Sequence, residues 1–337
     1  IEINDDIRRL TSVVCHSLSD VPDIIDTWNE GKVADVEGYY ENAKINRVYV
    51  DRVHVKKAFA EYTAAYNSDD PKIKLKIDHT YRVAALCERI AKATGMCAYD
   101  VELAWLSGML HDVGRFEQIK RYNTFSDADS VDHAKFGADL LFKDGLISTF
   151  LKGMVKCTGY KSGALEDRYS SDGVFLYDRL NKSDMEMLEL AIRCHNMYRI
   201  PQGLNRREQA FCNVLRDADK VDIFKVNIDT PLEEIYNTTT EELMKSDITD
   251  EVLEAFDEEH CILKAIRRTP ADTVIGHVSL AYELVYDESV RITVEQGYLA
   301  KLMHFHSDNE ETNRKMAMVR EKMDSYVKKR IGRKMHR

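Results

Sequence analysis

Leu103-Ala104-Trp105-Leu106-Ser107-Gly108-Met109-Leu110-His111-Asp112-Val113-Gly114-Arg115 is the stretch that decides how this chain folds. Residues 103–110 are apolar nearly all round, the mark of a buried helix. That helix delivers an imidazole and a carboxylate side by side at its end. An ionised aspartate in such surroundings is costly unless it is paired or binds a metal. A metal is the economical explanation.

Reading outward, four more residues of ligand type fall on apolar faces. His79 opens a predicted helix in which Val83, Leu86, Cys87 and Ile90 share its side. His133 leads a helix bearing Phe136, Gly137, Leu140 and Leu141, and His195 follows Leu188, Ala191 and Ile192 at helical spacing. Asp219 lies one turn after Leu215 and two after Phe211, with Asp217 and Asp222 as neighbouring alternatives. Taken singly, an inward histidine is more often a hydrogen-bonded core residue than a ligand. Jointly, five helices each aim a ligand-type residue at one interior, as bundle-built metal sites do. Four imidazoles and two carboxylates with no cysteine partner suit Mn, Fe, Mg or Zn.

The rest of the chain points to an all-α protein. Helices are expected near 76–94, 98–111, 132–143, 146–156, 184–199, 205–224, 249–267, 271–286, 287–304 and 310–331. Residues 46–55 alternate briefly and read as a strand, followed by a helix carrying Phe59, Tyr62 and Tyr66. Long loops are expected at 113–131 and 157–183, where Tyr160, Lys161, Tyr169 and Tyr177 are candidates to wall a pocket. The polar stretch Asn67–Pro71 suggests a boundary. The expected division is a helical N-terminal extension (1–70), a metal-binding catalytic core (71–225) and a C-terminal helical region (226–337) packed on the core.

Composition narrows the partners. The net charge of −10 argues against a stable nucleic-acid partner, which would call for a basic stripe. Six Lys or Arg among residues 328–337 read as a helix end that complements its dipole. Seven dispersed cysteines without a C-x-x-C pair suggest reduced thiols and a cytoplasmic location, and no stretch is long and apolar enough for a membrane span. His304 and His306 splay apart on a helix, and His16, His54, His260, His277 and His336 join no constellation. The aspartates of 126–132 read as turn and cap residues before His133.

These residues resemble the HD superfamily of metal-dependent phosphohydrolases, whose H…HD…D pattern is met by His79, His111-Asp112 and Asp219. The flanks agree: His79-x-x-Arg82-Val83-Ala84, Leu110-His111-Asp112-Val113-Gly114-Arg115 and Ala218-Asp219-Lys220-Val221-Asp222. His133-Ala134-x-x-Gly137-Ala138 is similar to the additional-histidine helix of the binuclear branch, which includes the HD-GYP phosphodiesterases. His195-Asn196 stands where that branch has His-His, and the GYP signature is absent, so a cyclic-di-GMP activity is not supported. The resemblance implies an HD-type helical bundle over roughly 75–225 holding two divalent metals. One would be held by His79, His111, Asp112 and Asp219, the other by His133, His195 and the bridging Asp112. It further implies attack of a metal-activated hydroxide on the phosphorus of a small, nucleotide-like phosphate ester or anhydride. Arg115, then Lys220, are the candidate cations that would stabilise the growing charge. Two other readings remain open: a di-iron oxygenase of HD type, resembling myo-inositol oxygenase, and a non-catalytic nucleotide-binding regulator.

Overall fold

A computed structural model describes residues 50–67, 69–151, 156–157, 175–176, 182–236 and 238–332. Residues 1–49 of the expected helical N-terminal extension and the wall residues Tyr160, Lys161, Tyr169 and Tyr177 lie outside them. The described residues fold as helices, with a single antiparallel pairing of β1 (Lys156–Cys157) and β2 (Phe175–Leu176).

The first helix corrects the strand expected at 46–55, of which 46–49 lie outside the described residues. Asp51 accepts a hydrogen bond from His54 N and starts helix α1 (Arg52–Thr63). Val55, Ala58 and Phe59 form its buried face, whereas Val53 is 79% exposed. The short alternation of valines therefore winds into a helix rather than pairing as a strand. Helix α2 (Pro71–Ala93) begins five residues before the expected 76, because Asp70 caps it by accepting from Lys72 N and Pro71 occupies the first turn. The apparent boundary at 67–71 is a helix start.

Helix α3 (Ala98–Leu110) is buried from Leu103 to Leu110. It lies directly on α2: a Cβ on Gly108 would come 2.6 Å from Ala84 Cα. A second correction follows, since the loop expected at 113–131 opens instead with helix α4 (Val113–Tyr122), stopped by Asn123 in the left-handed region at φ 55°. Val113, Phe116 and Ile119 give α4 a buried stripe at i, i+3, i+6. Helix α5 (His133–Ala138) runs into a π-helical turn at Asp139–Lys143. Helix α6 (Ile147–Leu151) lies within the expected 146–156, of which 152–155 fall outside the described residues and Lys156 belongs to β1.

Helix α7 (Lys182–Cys194) ends before the expected 199, leaving His195 just beyond its C-terminus. Helix α8 (Arg206–Asp229) is opened by a reciprocal capping box between Asn205 and Glu208. After it come α9 (Leu232–Tyr236) and α10 (Thr240–Lys245), which the periodicity did not predict, then α11 (Asp250–Asp257) and α12 (Pro270–Val278). Gly297, at φ 71°, splits the expected 287–304 into α13 (Asp287–Gln296) and α14 (Tyr298–Met303). Helix α15 (Glu310–Ile331) closes the described chain, with Lys328, Lys329 and Arg330 in its last turn.

Two apolar clusters share α8. Phe211, Cys212, Val214, Leu215, Ala218 and Val221 join the first, built on α1–α7. Phe224 joins the second, built on α10–α12, α14 and α15. No described helix is long and apolar enough to cross a membrane.

Candidate metal centre

The centre lies where α2, α3, α5, α7 and α8 meet. His79 sits in the third turn of α2, rather than at its start. His111 and Asp112 occupy the two-residue break between α3 and α4, and Asp112 has a non-helical backbone (φ −108°, ψ 16°). That break turns adjacent side chains onto one point, which two consecutive residues inside a helix could not share. His133 is the first residue of α5, behind its cap Asp132. Asp219 comes from the middle of α8. His79, His111, Asp112, His133 and His195 are all buried, and the Asp219 side chain is 16% exposed.

Each imidazole has its Nδ1 committed. His79 Nδ1 donates to Asp222 Oδ2 at 2.6 Å and His133 Nδ1 to Asp127 Oδ2 at 2.6 Å. His111 Nδ1 donates to Gly108 O and His195 Nδ1 to Ile192 O, each at 2.7 Å. Carboxylate and carbonyl oxygens only accept, so the proton of each neutral ring resides on Nδ1. The Nε2 of each ring in its neutral form then presents a lone pair to the centre, although His79 Nε2 also faces Asp219 Oδ1 and carries a proton when that ring is charged. His79 Nε2 lies 3.3 Å from His111 Nε2, and His133 Nε2 lies 3.0 Å from His195 Nε2. Lone pairs at such distances repel unless a cation sits between them.

Asp112 divides these pairs. Its Oδ2 is 3.5 Å from His79 Nε2 and 3.6 Å from His111 Nε2, while Asp219 Oδ1 stands 3.2 Å from His79 Nε2. Its Oδ1 is 3.5 Å from His133 Nε2 and 3.8 Å from His195 Nε2. Oδ1 is buried and has no hydrogen-bond partner. His79, His111 and Asp112 can bring their donor atoms around one ion, and Asp112, His133 and His195 around another. An orphaned carboxylate oxygen facing two imidazole lone pairs fits a divalent cation.

The family model for the HD domain matches residues 77–329, three quarters of the chain, from just before His79 to the end of α15. The chain belongs to the HD domain family. Neither the curated proteins nor the solved structures contain a match. His111 and Asp112, at the junction of α3 and α4, lie within the matched residues.

Electrostatics in this HD centre favour a charged carboxylate and neutral imidazoles. Burial alone would raise the Asp112 carboxyl, but Lys76, His111, His133 and Arg115 hold it well below the usual range. Burial, helped by Arg115, pushes His133 down to about 4, and burial with His111 nearby pushes His195 down to about 4. His111 is lowered by burial too. His79 is the exception: burial and Lys76 oppose its protonation, yet hydrogen bonds to Asp219 and Asp222 raise it.

The two candidate cations stand differently. Arg115 Nη1 donates to Gln118 Oε1, Phe125 O and Asp127 Oδ1, and its Nε lies 3.8 Å from Asp112 Oδ1. Its guanidinium thus ties the 123–132 loop to α4, beside the centre. Lys220 is 9% exposed on the Arg216 side of α8, and burial followed by Arg216 lowers its pKa.

Three contributors were missed or set aside in the sequence. Lys76, one turn before His79, places Nζ 2.8 Å from Asp112 Oδ2; the late predicted start of α2 left it at the margin of the helix. Asp127, read as a turn residue, orients His133 and pairs with Arg115. Asp222, weighed only as an alternative ligand, orients His79 and is held in turn by Arg82. Asp132 behaves as the cap it was read to be, accepting from Lys135 N.

Proposed function

We propose that this HD domain protein is a metal-dependent phosphohydrolase acting on a phosphate ester or anhydride of a small, nucleotide-like molecule. The observation that carries the reading is the shared Asp112, whose two oxygens face separate imidazole pairs while one oxygen has no partner. In this reading His79, His111, Asp112 and Asp219 hold one divalent ion, and His133, His195 and Asp112 a second. Ions held there supply an activated water near neutral pH and neutralise charge on the phosphoryl oxygens.

The chain's own residues do the rest. Asp127 and Asp222 fix the ring orientation and tautomer of His133 and His79. Arg115 holds Asp127 in place and adds positive charge beside Asp112. Lys220 contributes a second, more buried cation from α8. Attack of water forms a new P–O bond as the bond to the leaving oxygen breaks, and that oxygen takes up a proton. The net charge of −10 supports a small substrate over a nucleic-acid chain.

The test is phosphate or nucleotide release from a panel of phosphomonoesters, nucleotides and cyclic dinucleotides. Protein reconstituted with Mn, Fe or Mg would be assayed beside Asp112→Asn. Turnover that vanishes in the variant supports the reading. A protein that holds metal yet releases nothing sinks it, and oxygen consumption by the iron form would then identify an oxygenase.

A further inference from the structure

We propose that Lys76, rather than Arg115, is the side chain that grips the substrate's phosphoryl group, and that the centre is built for a doubly charged terminal phosphate. The inference rests on the phosphohydrolase reading above. Lys76 reaches Asp112 Oδ2 at 2.8 Å, and its side chain is 19% exposed where that of Asp112 is 2%. It therefore stands on the solvent side of the shared carboxylate, where a substrate would enter. Arg115 spends Nη1 on three acceptors on α4 and the 123–132 loop, and its unpartnered Nε is buried 3.8 Å from Asp112 Oδ1 rather than turned to solvent. Lys220 lies on the Arg216 side of α8 and is more buried.

Phe125 adds a wall to the same edge. Lys76 Nζ and Arg115 Cζ each lie 5.8 Å from the centroid of its ring. An apolar ring beside two cations suits a ligand with an anionic end and an organic leaving group. The charge requirement follows from counting oxygens. A phosphodiester has only two non-bridging oxygens, and Asp112 divides the centre into two positions that would take one each. A monoester or terminal anhydride phosphate carries a third non-bridging oxygen and a second negative charge, and a lysine ammonium is a natural point-charge partner for it.

The experiment compares Mn-loaded wild-type protein with Lys76→Met, Lys76→Gln and Lys76→Arg. Manganese content, melting temperature, calorimetric affinity for inorganic phosphate, and kcat and KM on p-nitrophenyl phosphate and bis(p-nitrophenyl) phosphate are measured for each. Lys76→Met should keep its manganese and bind phosphate at least about tenfold more weakly. Its kcat/KM on the monoester should fall by about 100-fold while the diester changes by less than about threefold, and Lys76→Arg should recover part of the loss. If Lys76→Met melts early, Lys76→Gln, which can still hydrogen-bond to Asp112, carries the same comparison. Unchanged phosphate affinity, equal losses on both esters, loss of manganese, or a wild-type preference for the diester would each overturn the proposal. Should the wild type hydrolyse neither ester, the phosphohydrolase reading fails, and the calorimetry alone decides whether Lys76 binds phosphate.

Discussion

Asp127 acts on the centre through a ring rather than by facing it, and its effect can be isolated. Asp127→Asn keeps the size of the side chain but removes the charge that holds Nδ1–H of His133. Metal affinity should fall by about 10–100-fold, read by calorimetry with Mn or Zn; an unchanged affinity would show that His133 needs no such support. His277, on α12 and outside the ligand set, gives a pH prediction. Burial, then the nearby Arg267 and Lys264, push its imidazole down to about 3, and its Nδ1 has no partner. Tyr236, the ring packed beside it, adds no carboxylate. The folded state therefore binds fewer protons than the unfolded one, so stability is full above pH 6.5 and is lost as pH falls from there towards 3. At pH 5 the loss from this group is about 2 kcal/mol. Unfolding free energies from urea titrations at pH 7 and pH 5 should differ by that much less in His277→Gln than in wild type. At this scale the ligand-type histidines were legible because each shares a face with apolar neighbours. Lys76 was not, since a long polar side chain near a helix start looks like any solvated lysine until the fold brings Asp112 to it.

Helices α4 and α5 meet backbone to backbone. A Cβ on Gly114 would come 2.6 Å from His133 O and 2.7 Å from Gly137 N, and neither backbone atom can swing away. Gly114→Ala should destabilise the protein by about 1–3 kcal/mol, measured by denaturant titration. Because one displaced atom belongs to His133 and Gly114 itself stands two residues after Asp112, the variant should also bind metal more weakly, whereas a purely local adjustment would leave binding intact. The stripe of α4 was present in the sequence as Val113, Phe116 and Ile119, but Gly114 and the charged run from Arg115 to Arg121 resembled a loop. The end of α7 was illegible for a different reason. The apolar spacing continues through His195, while the helix stops at Cys194 so that His195 can turn its Nδ1 back to Ile192 O. Gly297 could have been read as a break, being the residue that takes φ 71° without strain.

At the scale of the molecule, α8 joins the two apolar clusters, and Asp217 fastens it to the C-terminal half. This buried carboxylate accepts from Val285 N, Tyr286 N and Ser289 Oγ at the start of α13. Asp217→Ala would orphan all three donors and should cost at least about 3 kcal/mol, measured by chemical unfolding; Asp217→Asn, which can still accept, should cost less. The helical class was readable from periodicity, and the expected core boundary at 225 falls inside α8, which runs on to Asp229. A boundary drawn from a functional pattern marks where the signature residues stop, not where packing does. The same helix carries Asp219 towards the HD centre, Asp217 towards α13 and Phe224 into the second cluster. An ion gripped by Asp219 would therefore act as a clamp on residues that never approach it. Adding manganese should slow amide exchange not only around His79 and His111 but also in α12 and α15, whose opening would have to loosen the helix that holds the ion.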